Sequence, residues 1–290
     1  VNRSWDFGID EERLDQHAAE VATSFTGRAS GPVPLVDIAR EEGLAVRFDD
    51  FGRLFDGRLE YEPRTGFILF VNRRGASGPL MPRERFALGH ELGHFYRHRE
   101  ALLAGGKTHN SKVDFVSDRR EEREADYFSA SLMMPKGVVG PIVNEGPAEI
   151  ARILAIATRF EASVTSAALR FVRLCHFPCA MVMSVGGQTL FSWRSEALRE
   201  RGGGIGYIAK GAPVPTQSLT AKISGRAPKP VGEDKLASVW FDHSVDDEPW
   251  MLEEVVDLGD RTLTLISLEE DALGSRARTY GDGDDEDDDF

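Results

Sequence analysis

The stretch RFALGHELGHFYRH, residues 85–98, constrains the fold of this 290-residue chain more than any other. Its core, His90-Glu91-Leu92-Gly93-His94, repeats histidine at a spacing of four, with a glutamate directly after the first. On an α-helix, residues four apart lie about 6 Å apart along the axis and about 40° around it. Two imidazoles so placed can converge on one cation at about 2.0–2.1 Å. Glu91 then flanks the cation, where a base for a coordinated water belongs. His98 lies about 12 Å along a straight helix from His90, too far to share the ion, and is expected at the surface. The position six residues after His94 is Glu100, with no glycine turn before it, so a three-histidine site is not expected.

A catalytic site of this kind needs a third protein ligand. The next helical run, REEREADYFSASLMMP, offers Glu121, Glu122 and Glu124, all chemically acceptable. Glu122 and Asp126 form an i,i+4 pair on a face continued by Ala125, Ser129 and Leu132 or Met133. Glu122 can then be the ligand and Asp126 the hydrogen-bond acceptor for a ligating histidine. Spacing alone leaves Glu121 open, and a solvated acidic helix start is the plain alternative. Gly93 costs its helix ~1 kcal/mol relative to alanine, which suggests close packing against a neighbour. Tyr127 and His109 are candidate oxyanion stabilisers that spacing does not position.

Periodicity outlines the rest. Ile9 to about Phe25 reads as an amphipathic helix, with Leu14, Ala18, Val21, Ala22 and Phe25 on one side. Val36, Ile38 and Ala39 carry helical spacing that stops at Gly43, and Leu44, Val46 and Phe48 then alternate as in a strand. GRLEY and GFILFVN, separated by Pro63 to Thr65, read as a hairpin. Pro82 opens the motif helix, expected over Arg83 to about His98. Residues 105–118 read as a loop, and the acidic helix runs from about Arg119 to Met134, stopped by Pro135. Residues 148–175 hold two further helical runs, with Ser163 as an N-cap between them. After Pro178 the segments CAMVMSV, QTLFSW, SVWF and RTLTLISL are β-type, the first two split by Gly186-Gly187. The expected fold class is α+β.

RERFALGHELGHF followed by EREADYFSASLMMP resembles the ImmA/IrrE metallo-endopeptidases, over roughly residues 30 to 140. The family's second motif matches Glu122, Ala125, Asp126, Phe128 and Met133-Met134-Pro135, which raises Glu122 above Glu121 as the third ligand. The resemblance implies a zincin-like metallopeptidase domain over residues 1–140, with one Zn²⁺ held by His90, His94 and Glu122, and Glu91 as catalytic base. Residues 141–178 resemble a helix-turn-helix-like connector, and 179–271 an α+β module compatible with a GAF-like sensor. ILFVN looks like the family's edge strand, against which an extended substrate would pair. The implied partner is a protein substrate, a helix-turn-helix repressor of the Xre type, cleaved in a stress or mobile-element response.

Composition narrows the alternatives. Seven carboxylates in the last nine residues account for more than half of the net charge of −13. Residues 272–290 therefore read as a solvated acidic tail, and the acidic balance argues against sequence-blind DNA binding. The basic residues of 149–173 exceed the acidic ones by only two, weak support for a DNA-reading helix. The rival readings are a transcription regulator that binds DNA through 149–173 around a structural metal, and a non-catalytic interaction protein. The acidic balance and the open three-ligand coordination count against the first, and the intact Glu91 counts against the second. Cys175 and Cys179 lack metal-site spacing and read as ordinary thiols, which fits a reducing compartment. The first residues lack the apolar core of a signal peptide and no stretch is long enough to span a membrane, so the expected location is cytoplasmic.

Overall fold

The first helix forms where the sequence offers an apolar face at helical spacing. In α1 (Glu11–Thr26), Leu14, Ala18, Val21 and Ala22 are buried. In this computed structural model, residues 8–26, 31–73, 75, 78–105, 109–111, 119–201, 207–223, 225–241 and 249–268 are described. They fall into two units, Val1–His176 and Phe177–Phe290.

In the first unit, α2 (Leu35–Glu41) buries Leu35, Ile38 and Ala39 and ends before Gly43, whose φ of 78° is the left-handed conformation glycine favours. A four-stranded mixed sheet follows, built from β1 (Ala45–Asp49), β2 (Gly57–Glu62), β3 (Gly66–Asn72) and, after the motif helix α3 (Pro82–Gly105), β4 (His109–Ser111). The order is β1-β3-β2-β4, with β1 parallel to β3 and the other pairs antiparallel. The expected hairpin is β2–β3. β3, expected at an edge, lies inside the sheet, because β1 pairs along it from Ile68 to Asn72. The short β4 also interrupts the stretch expected to be only loop, covering Gly57 to Leu59 of β2.

Pro82 occupies the first position of α3, and Glu84 accepts a hydrogen bond from the Met81 backbone N–H at 2.9 Å, half of a capping box. α4 (Arg120–Met133) packs along α3, and α5 (Lys136–Val143), α6 (Ile150–Arg159) and α7 (Val164–Leu174) complete this unit. Ser163 caps α7, accepting from the Ser166 N–H at 3.1 Å. α5 was not foreseen: Gly137, Gly140 and Pro141 are poor helix formers, and burial of Val139 and Val143 overrides them.

A buried polar cluster ties α1 to α4 and α7. Asp15 accepts from the Tyr127 hydroxyl at 2.9 Å, the Ser131 hydroxyl at 2.7 Å and Arg170 Nη2 at 2.6 Å. Arg170, 1% exposed, also donates to the Met134 carbonyl. Arg173 donates to Glu11 at 3.1 Å.

The described residues of the second unit form a five-stranded antiparallel sheet with two short α-helices. β5 (Cys179–Val185) and β6 (Gln188–Arg194) join through Gly186-Gly187, whose φ values of 56° and 77° are those of a tight hairpin turn. α8 (Glu196–Arg201) and α9 (Leu219–Ile223) precede β7 (Val231–Leu236), β8 (Trp250–Asp257) and β9 (Thr262–Leu268). The order is β6-β5-β9-β8-β7. SVWF, expected as a strand, begins in a 3₁₀ turn over Ala237–Val239 and sends Trp240 and Phe241 into the core beside Val182 and Ile266. Glu253, also fully buried, anchors α9 by accepting from the backbone N–H groups of Leu219 and Thr220 at 2.9 Å. Among the described residues no helix is long and apolar enough to cross a membrane.

Removing one partner from a buried ion pair strands the other charge, at a cost of about 3–5 kcal/mol. Arg170→Leu is therefore expected to lower stability by about 3–5 kcal/mol in urea unfolding.

Candidate metal centre

The site depends on how closely α3 and α4 approach. A Cβ added to Gly93 would lie 2.9 Å from Ala125 Cα, and one added to Gly89 would lie 2.5 Å from Ser129 Oγ. The two glycines therefore let α3 touch the backbone of α4 at Ala125 and the side chain of Ser129. Beside this contact, His90 and His94 of α3 meet Glu122 and Asp126 of α4.

His90, His94 and Glu122 form a buried group whose ligating atoms all lie within 4.8 Å of one another. The two Nε2 atoms are 3.0 Å apart, and Glu122 carboxylate oxygens lie 3.4 Å from that of His90 and 3.7 Å from that of His94. Two imidazole nitrogens and one carboxylate suit a zinc-type divalent ion. Glu121 is exposed and outside the group, and Glu124 is turned to His98 and Arg120.

The outer nitrogens of both histidines are engaged. His90 Nδ1 donates to Asp126 Oδ1 at 2.8 Å, and His94 Nδ1 lies 3.1 Å from His98 Nδ1. Burial by itself lowers the basicity of His90, but hydrogen bonds to Asp126 and Glu122 outweigh it and raise its pKa to about 10. The pocket is thus built to hold positive charge, which in the metal-free protein is a proton.

His98 was expected at the surface, and this is corrected: its side chain is 13% exposed, with Nε2 3.1 Å from Glu124 Oε2. The distance that keeps it out of the His90–His94–Glu122 group still allows it to reach His94, one turn away. That i,i+4 relation, with an acid two residues after Glu122, was the available signal.

Glu91 is fully buried on the side of α3 that faces the sheet, where the buried ring of Phe95 packs edge-on against Phe67 of β3 at 5.3 Å. A Cβ on Gly57 would lie 2.6 Å from Glu91 Oε1, so the first residue of β2 makes room for this carboxylate. Gly57 is itself fixed. Asn72 bonds the backbone of Phe51, Gly52 and Phe55, and Asp56 holds Arg83 of α3 by two bonds of 2.7 and 3.0 Å. None of these supports has a recognisable spacing in the sequence.

Of the two candidate oxyanion stabilisers, Tyr127 directs its hydroxyl to Asp15. As the residue after Asp126 it points about 100° away around α4. His109 pairs with Leu59 in the sheet, and its side chain lies outside the described residues.

A mixed sheet, a His-Glu-x-x-His helix beneath it and an acid from the following helix define a zincin-like domain. Residues 39–172 match the family model of the IrrE N-terminal-like domain, Peptidase_M78, so the first unit carries such a domain. A Mycobacterium tuberculosis transcriptional regulator shares the fold: 88% of this chain aligns with 76% of that one at a TM-score of 0.57 and 15% identity. No protein of curated function matches the chain by sequence.

Gly93→Ala adds a methyl group where the helices touch, and the clash is expected to exceed the gain in helix propensity, with a net loss of about 1–2 kcal/mol in chemical denaturation. Below pH 10 an incoming divalent ion must displace the His90 proton, so apparent metal affinity is expected to rise with pH through neutrality. Calorimetry in buffers of different ionisation enthalpy measures the released proton.

Proposed function

We propose that the protein is a zinc-dependent endopeptidase whose substrate is a protein partner. The observation that supports this reading best is a three-ligand His-His-Glu group with a buried glutamate directly after the first histidine. Three protein ligands leave a position for water, and a structural site would close it with a fourth. Zn²⁺ bound there supplies Lewis acidity, lowering the pKa of water and polarising the scissile carbonyl.

The chain's own residues have separate tasks. His90, His94 and Glu122 are the ligands, and Asp126 keeps the His90 lone pair at Nε2 by accepting from Nδ1. Glu91 takes a proton from the attacking water and delivers it to the leaving amine. Gly57 keeps the Glu91 carboxylate in place from the sheet side.

The proposed substrate is a helix-turn-helix repressor of the Xre type, with cleavage relieving repression. The trigger would act through the second unit, which we read as a sensor module, or through metal supply. A DNA-binding reading of 149–173 is less well supported. Arg170 and Arg173 are engaged with α1, and Arg152 donates to the carbonyls of Val143, Gly146 and Pro147.

The test is Glu91→Gln. With a candidate repressor and mass-spectrometric mapping of products, cleavage is expected to slow by about 10²–10⁴-fold, while zinc affinity in a chelator competition stays within a few-fold. Equal cleavage by the variant would overturn the assignment of the base.

A further inference from the structure

The proposed peptidase leaves His98 and Glu124 without a task, although both are largely buried and adjoin the centre. His98 Nδ1 is 3.1 Å from His94 Nδ1, and His98 Nε2 is 3.1 Å from Glu124 Oε2. The other Glu124 oxygen accepts from Arg120 Nε at 2.8 Å. Side-chain exposure is 13% for His98 and 11% for Glu124, so the chain of contacts is shielded from water.

Resting on the zinc reading above, we propose that Glu124 and His98 form a two-step relay that positions His94 and holds it in the tautomer whose Nε2 lone pair faces the metal. The direction of each hydrogen follows from the donor and acceptor inventory. An ionised carboxylate only accepts, so His98 donates to Glu124 through Nε2–H. A neutral imidazole protonated at Nε2 has only a lone pair at Nδ1. The hydrogen between the two Nδ1 atoms therefore belongs to His94. That leaves His94 Nε2 unprotonated, and this is the nitrogen 3.0 Å from His90 Nε2 and 3.7 Å from Glu122. The reverse order would set a lone pair of His98 against the Glu124 carboxylate. Asp126 orients His90 by direct contact, whereas Glu124 acts on His94 through an intervening ring.

His98 and Glu124 are positioning residues on this view, and the test reads tautomers and metal affinity as well as turnover. In the zinc-loaded 290-residue chain with ¹⁵N-labelled histidine, His94 is expected to carry its hydrogen on Nδ1 and His98 on Nε2. A hydrogen on His98 Nδ1 would overturn the relay without the need of any variant. In chelator competition, His98→Ala and Glu124→Ala are expected to weaken zinc binding by about 10–100-fold. His98→Asn, whose Oδ1 can replace Nδ1 as acceptor, is expected to recover most of that loss. Wild-type affinity in His98→Ala, or an Asn variant no better than Ala, would also overturn it. Glu122→Ala separates the two ideas. If it abolishes binding while His98→Ala does not weaken it, only the relay fails; if the unaltered chain takes up no zinc, the metal reading fails and the relay with it.

Discussion

The approach of α3 to α4 at Gly89 and Gly93 is the constraint on which the metal centre depends. Ligands from two helices meet on one ion only if the helix axes are close, and side chains larger than hydrogen would separate them here. Each glycine costs its helix about 1 kcal/mol in propensity. That cost is offset by packing of α3 against α4 and by the hydrogen bond from the Ser129 hydroxyl to the Phe86 carbonyl at 3.0 Å. The low amphipathic contrast of α3 has the same origin: one side faces the sheet, another faces α4, and polar groups sit on both.

Four carboxylates and three histidines in so small a buried volume would repel or neutralise one another unless each met a partner. Asp126 meets His90, and Glu124 meets His98 and Arg120. Glu122 lies near both His90 and His94 and also accepts from Arg119 at 3.3 Å. A divalent ion could meet Glu122 and both imidazoles at once. The same requirement operates away from the centre, where Asp15 is buried with three donors and Glu253 with the start of α9.

Much of this was legible in the residues. The spacing of His90 and His94, the i,i+4 pair of Glu122 and Asp126 and the glycine within the helix follow from helical geometry, which is local. The hairpin and the Ser163 cap are local too. What escaped depends on pairing between distant segments. β3 is interior because β1 returns to it in parallel, and nothing within GFILFVN reports that. β7 and β8 were missed because VGEDKL is a charged strand at the sheet edge and WMLEEVVD carries Glu253, whose burial depends on backbone N–H groups of the distant α9. SVWF has strand-like composition, yet Trp240 and Phe241 serve the core better from a turn. Gly57 was unreadable because its role is set by Glu91, more than thirty residues away.

The misplacement of His98 has a more specific cause. α3 and α4 run antiparallel, and their contacts step by one turn on each: Gly89 opposes Ser129 and Gly93 opposes Ala125, while His90 meets Asp126 and His94 meets Glu122. At the level of His90 the acid on α4 is available to the outer nitrogen. One turn on, at His94, the corresponding acid is Glu122, which belongs to the His90–His94–Glu122 group. At His94 Nδ1 the contact comes instead from the next residue on the same side of α3, His98, which in turn meets Glu124. The four-residue step that excludes His98 from the ion is therefore the same step that brings it against His94.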